Sequence, residues 1–175
     1  DSCGYFSNPE ISMGFRRLSI IDLEAGDQPI FNEDKTLVLT FNGEIYNYKE
    51  LREELQRKGH IFATHTDSEV LIHGFEEWRE GLLNRLRGMF GFAIWNTVDK
   101  SLFIARDFFG IKPMHYTKVG DHLVYGSEIK SILQFPGFEK KFNYDTLNNY
   151  LSFQYAVPPQ TFFENLYCLL PGHYL

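Results

Sequence analysis

Apolar and polar positions along this chain recur with two different periods, and the switches between them mark its elements. Over residues 11–22 the period is two, clearest at Phe15, Arg17, Ser19 and Ile21, which predicts β-structure. Residues 36–41 (TLVLTF) form a strand by composition, expected to stop at Asn42-Gly43, a pair that readily takes positive φ. A helix follows. Asn47 is its N-cap, Glu50 completes a capping box, Tyr48, Leu51 and Leu55 make one apolar stripe, and Gly59 ends it. Residues 61–64 predict a short strand. Thr66 then caps a second helix, with Glu69 in the capping-box position and Val70, Leu71, Phe75 and Trp78 on its buried side.

Leu82, Leu83 and Leu86 suggest a third short helix, closed by Gly88. Residues 89–95 and 101–106 read as adjacent strands joined by a turn at 96–100, and 115–119 and 122–125 as a pair turning at Gly120-Asp121. Ser127 opens a helix to Leu133, stopped by Pro136-Gly137. A last helix over 145–153 leads to Pro158-Pro159. Antiparallel-looking strand pairs and two consecutive long helices predict an α+β fold rather than a doubly wound parallel sheet.

Composition narrows the class. A length of 175 residues fits one domain. Seventeen Lys+Arg against 23 Asp+Glu give a net charge of −6, and 43% hydrophobic residues exclude disorder as the main state. Seventeen Phe and ten Tyr supply a dense core. An acidic chain without a basic tract is a poor nucleic-acid binder, and no apolar run approaches the length of a membrane span. Cys3 and Cys168 form neither a metal spacing nor a disulfide framework, so a reducing, cytoplasmic setting is expected. The chain opens on Asp1 and ends on what reads as a strand just beginning, so both ends are expected to be cut from a longer polypeptide.

There is no phosphate-loop, dinucleotide or nucleophile-elbow motif, and the six histidines lack zinc spacing; no metal site is expected. Three polar features stand out. Arg16-Arg17 fall inside a β-rich run, either as solvated arginines on an edge strand or as a guanidinium fork for a carboxylate. Asn42-Gly43 at a strand end is either a plain turn or an amide NH2 and a backbone N–H aimed at one point, as in an oxyanion hole. Thr66-Asp67-Ser68-Glu69 caps a helix, which leaves Asp67 explained only as a first-turn carboxylate. Together they offer what a free α-amino acid undergoing acyl transfer needs. The sequence alone does not bring them together.

Longer strings carry a resemblance. FRRLSIID (15–22), FNGEIYNY (41–48), TDSEV (66–70), LRGMFGFAIW (86–95), RDFFGIKP (106–113) and SEIK (127–130) resemble, in order, segments of glutamine-dependent asparagine synthetases, with a departure at Met114-His115-Tyr116. The resemblance implies a class-II glutamine amidotransferase domain with the N-terminal-nucleophile hydrolase fold, a four-layer αββα sandwich, here incomplete at its N-terminal strand. It implies that residues 1–155 form that domain and that 156–175 connect it to an absent ATP-dependent synthetase domain. ATP and Mg2+ would belong to that domain, which turns aspartate into asparagine. L-Glutamine and the synthetase domain are the implied partners, and a homodimer is admitted.

Carried over residue by residue, Arg17 would clamp the α-carboxylate of glutamine and Leu18, Ser19, Ile20 and Ile21 would line the pocket. Asn42 and Gly43 would form the oxyanion hole, Glu44 would help hold the amino end, and Asp67 would bind the α-ammonium. The family's nucleophile is an N-terminal cysteine whose own amine serves as base. Cys3-Gly4 mimics that start, but Asp1-Ser2 precede it, so its nitrogen lies in a peptide bond. The nucleophile is therefore expected upstream, and the chain alone is expected to be inactive. The competing expectations are another amidotransferase, a β-lactam synthetase-like relative, or a non-catalytic interaction module with the same fold.

Overall fold

The structure is a computed structural model that describes residues 2–17 and 28–175. Its chain divides into two compact units, residues 1–104 with Leu175, and residues 105–174. Residues 18–27, including the predicted pocket residues Leu18, Ser19, Ile20 and Ile21, lie outside the described residues.

In the first unit, β1 (Ser2–Ser7) pairs antiparallel with β2 (Ser12–Arg17), Cys3 lying opposite Arg16. The main sheet runs in the order β3 (Ile30–Phe31), β4 (Leu37–Ile45), β5 (Gly88–Asn96), β6 (Ser101–Arg106). Phe90 to Trp95 are buried without alternation, so both faces of β5 are covered. Phe103 packs tilted against Phe75 and Phe92 at centroid distances of 5.0 and 6.0 Å, while many of the other aromatic rings are exposed. The described residues of this unit also form α1 (Tyr48–Arg57) and α2 (Glu69–Trp78), followed by a 3-10 helix over Arg79–Arg85.

The β4 strand does not stop at Asn42-Gly43 as the turn propensity suggested. It runs on to Ile45, in register with β5 from Leu37↔Asn96 to Ile45↔Gly88. Glycine makes this possible by closeness rather than by turning. A Cβ on Gly43, at φ 157°, would lie 2.1 Å from the Met89 carbonyl oxygen, and one on Gly88 would lie 2.2 Å from that of Glu44. A long partner strand wins over a local turn preference.

Both predicted capping boxes fail in detail. Asn47 sits at the N-cap position of α1, but its amide reaches across to the chain entering β5: Nδ2 donates to the Arg85 carbonyl and Oδ1 accepts from the Arg87 N–H, both at 2.9 Å. Glu69, nearly inaccessible, accepts from the N–H groups of Ala63 and Thr64, at 2.6 and 2.8 Å, so residues 61–64 are held by a side chain and form no strand. Gly59 does end α1, at φ 102°, with the His60 N–H returning to the Leu55 carbonyl.

In the second unit a three-stranded sheet runs β8 (His122–Gly126), β7 (His115–Val119), β9 (Leu166–Cys168), with α3 (Ile129–Ile132) and α4 (Tyr144–Phe153). Asn143 caps α4 by accepting from the Thr146 N–H. The buried Asp107 carboxylate accepts from the N–H groups of Phe109, Ile111 and Lys112, and Arg106 donates to the Gly110, Lys112 and Leu169 carbonyls. One charged pair in sequence thus knits the 107–112 loop to the segment after β9.

The close β4–β5 approach makes a prediction. Gly88→Ala should lower unfolding free energy by about 1–3 kcal/mol in urea titration, because its methyl group meets backbone that cannot swing aside. Unchanged stability would show that the two strands can separate at little cost.

Candidate functional site

The open edge of β4 is where the predicted polar residues meet. β3 covers that edge at Val38 and Leu39 only. Where the next paired backbone would come, Pro29 interrupts, and the Gln28 side chain takes over. Its Oε1 accepts from the Phe41 N–H at 2.6 Å and its Nε2 donates to the Phe41 carbonyl at 2.9 Å. Four residues on, the Ile45 N–H donates to Asp67 Oδ2 at 2.7 Å. Successive N–H groups of a strand point to opposite edges. The N–H of Gly43, midway between Phe41 and Ile45, therefore faces this same edge, between the Gln28 amide and the Asp67 carboxylate. Asn42 is half-buried beside it, and its amide has no hydrogen-bond partner among the described residues.

Asp67 lies just before α2, half-buried, and no basic side chain among the described residues pairs with it. Burial pushes its pKa above the usual carboxylate value, the Ile45 N–H opposes that, and the negative charge of exposed Glu44 adds to it. Two carboxylates thus share one end of the β4 edge, with no basic partner for Asp67 among the described residues, an arrangement that favours a cation. Donors lie on one side and acceptors on the other, about one amino acid's reach apart along the strand.

Of the sequence-predicted residues, Asn42, Gly43, Glu44 and Asp67 are brought together by the first unit. Arg17 ends β2, its backbone in register with Ser2. Leu18 to Ile21 are outside the described residues. Sequence reasoning missed Gln28. The only signal was a Gln-Pro ahead of a strand, and what gives it a role is a register that becomes visible once β3 and β4 are paired.

The solved structures to which this chain is similar are amidotransferases with an N-terminal-nucleophile hydrolase fold. Among them is the glutamine phosphoribosylpyrophosphate amidotransferase of B. subtilis, determined with ADP and GMP, at TM-score 0.58 and 27% identity over 69% of this chain and 28% of that one. The α+β class expected from the sequence is the class found. A family described as "Glutamine amidotransferase domain" matches residues 1–175, and the chain belongs to it. Among curated relatives it is 46% identical over 172 residues to glutamine-hydrolysing asparagine synthetase 1 of Bacillus subtilis (strain 168), and 42% identical over 176 residues to asparagine synthetase 2 of that organism. It covers 98% of itself in both alignments but spans only 27% and 23% of those relatives' lengths. No helix among the described residues is long and apolar enough to cross a membrane.

The electrostatics of this site can be tested directly. Asp67→Asn keeps an acceptor for the Ile45 N–H and removes a charge that burial disfavours. A raised folded-state pKa means the ionised carboxylate costs stability at neutral pH, and that cost disappears as pH falls through the raised pKa. The variant should show a higher urea midpoint than wild type at pH 7, the gap closing on acidification. A lower midpoint at pH 7 would contradict the reading.

Proposed function

We propose that this chain is the glutaminase part of a glutamine-hydrolysing asparagine synthetase. The observation that carries the proposal is the β4 edge, which sets an outward N–H at Gly43 and a free amide at Asn42 beside the uncompensated Asp67 carboxylate. Free glutamine is a zwitterion, and a pocket that strips its water must answer both charges. Asp67, with Glu44 nearby, takes the α-ammonium. Arg17 takes the α-carboxylate in a bidentate pair, and Leu18 to Ile21 line the pocket. The side-chain amide then lies toward Asn42 and Gly43. A thiolate attacks its carbonyl carbon, the oxygen takes up negative charge, and the Asn42 amide and the Gly43 N–H stabilise it. The N-terminal amine that took the thiol's proton gives it to the departing nitrogen, so collapse expels ammonia and leaves a thioester, which water hydrolyses to glutamate and the free thiol.

The thiol comes from outside these 175 residues. The Cys3 nitrogen is bound in a peptide, and Cys168 accepts from Arg106 at 2.9 Å in the second unit. The ammonia serves a synthetase domain, also outside this chain, that uses ATP and Mg2+ to convert aspartate to asparagine, with residues 156–175 leading toward it. The 46% identity to an asparagine synthetase supports that acceptor. The exposed apolar side chains of Phe108, Phe109 and Ile111, and of Tyr144, Leu151 and Phe153 on α4, support a further domain, since surfaces of this kind are usually covered. Two free cysteines support a cytoplasmic setting.

Steady-state kinetics of the full-length protein with glutamine and with ammonium test the assignment. Arg17→Ala and Asp67→Ala should chiefly raise KM for glutamine. Asn42→Ala should chiefly lower kcat, by roughly 10²- to 10³-fold. Ammonium-dependent synthesis should survive all three, because it bypasses the pocket. In wild type, KM for glutamine should rise as pH falls through the raised pKa of Asp67. Unchanged glutamine kinetics in Arg17→Ala would remove that residue from the pocket.

A further inference from the structure

The fold brings together two of the six histidines that the sequence left scattered. His73 of α2 is almost wholly buried, and His60 follows the end of α1, their ring centroids 5.2 Å apart. Both turn the same ring nitrogen to Glu76: Oε2 lies 3.1 Å from His73 Nδ1 and 3.4 Å from His60 Nδ1. Glu33 Oε2 stands 3.8 Å from His73 Nδ1. In a tetrahedral zinc site with bonds of about 2.0–2.1 Å, neighbouring ligand atoms are about 3.3–3.4 Å apart. The two Glu76 separations are close to that edge length, the donor atoms of His60, His73 and Glu76 all lie within 4.8 Å of one another, and the Glu33 contact is longer.

The outer groups fit as well. His73 Nε2 faces the buried Glu69 carboxylate at 3.6 Å, His60 Nε2 faces Glu77 at 3.5 Å, and Glu76 Oε1 accepts from Asn32 Nδ2 at 2.6 Å. Each imidazole therefore offers one nitrogen inward and has a carboxylate behind the other, the arrangement that orients and strengthens histidine ligands. Without a cation, a proton fills the role. Burial works against a charge on His73, yet its hydrogen bonds to Glu69 and Glu76 and the charge of Glu33 raise its pKa to about 9.

We propose that His60, His73 and Glu76 form a structural site for a divalent transition cation of the Zn2+ type, the exposed Glu33 carboxylate turning in as fourth ligand. The ion would clamp the segment after α1 to α2, the helix that begins beside Asp67. Imidazole and carboxylate donors select Zn2+ over Ca2+ or Mg2+, and four protein ligands leave no position for catalysis.

The test uses full-length protein, stripped with chelator and titrated with Zn2+ alone in competition with a chromogenic chelator, with Co2+ as a spectroscopic substitute. The expected result is one equivalent of Zn2+ per chain, a raised melting temperature, and the intense visible bands of four-coordinate Co2+. His60→Gln, at a partly exposed position outside the helices, should abolish stoichiometric binding, and Glu33→Gln, also exposed, should weaken it. Glu77→Gln should weaken it by about 10- to 100-fold through His60. His65→Ala, an exposed histidine outside the cluster, should leave it unchanged. No stoichiometric Zn2+ binding, or binding that survives His60→Gln, would overturn the proposal and leave a protonated His73 held by carboxylates.

Discussion

The hydrogen bond from the Ile45 N–H to Asp67 joins the end of the nine-residue β4 to the start of α2, and the candidate site depends on it. It fixes how far Asp67 stands from Asn42 and Gly43, because three residues of an extended strand have a set length. It also satisfies a backbone donor that β3 is too short to reach. Among the described residues, a nine-residue strand with a two-residue neighbour leaves part of one edge unpaired. Bare edges are usually covered or blunted. Here Gln28 covers one N–H, Asp67 covers another, and the one between them, on Gly43, faces the same edge.

The arrangement is held against its own electrostatics. Glu44 and Asp67 repel, and burial makes the Asp67 charge worse. Stability comes from elsewhere. α2 is anchored at its first turn by Glu69, whose carboxylate takes the N–H groups of Ala63 and Thr64, and it buries Val70, Leu71 and Ile72 completely. The entry to β5 is pinned by the Asn47 amide and by the Arg87 carbonyl, which accepts from the Tyr46 N–H at 2.7 Å. A rigid frame of this kind can keep two like charges close, and a ligand ammonium would relieve them.

Much of this was legible in the sequence, for identifiable reasons. Strands at 89–95, 101–106, 115–119 and 122–125 were visible because their composition and turns agree with their pairing. The second helix was visible because its apolar stripe faces the core. Asn42 and Asp67 stood out because a strand end and a helix start are where polar groups can be aimed. What failed was the reach of polar side chains. Asn47 and Glu69 have the spacing of capping boxes, yet each spends its acceptors on a distant or preceding segment, which no local pattern encodes. Asn42-Gly43 looked like a turn because the pairing that overrides it comes from residues 88–91. Gln28 and the His60–His73 contact emerge only from tertiary register. The segment 18–21, central to the predicted pocket, lies outside the described residues, so Arg17 and its neighbours stand on the resemblance.

In the proposed pocket Asp67 meets an ammonium group beside an oxyanion site. Calorimetry of the full-length protein with ligands that differ by one charge tests it most directly. Glutamine would be compared with its analogue lacking the α-amino group, each against wild type and Asp67→Asn. The account predicts that loss of the ligand ammonium and loss of the Asp67 charge weaken binding by the same interaction. The substitution should then cost glutamine at least tenfold in affinity, about 1.4 kcal/mol, and cost the des-amino analogue nothing. Equal losses for both ligands would contradict it, because they would mean that Asp67 shapes the strand edge without meeting the substrate's charge.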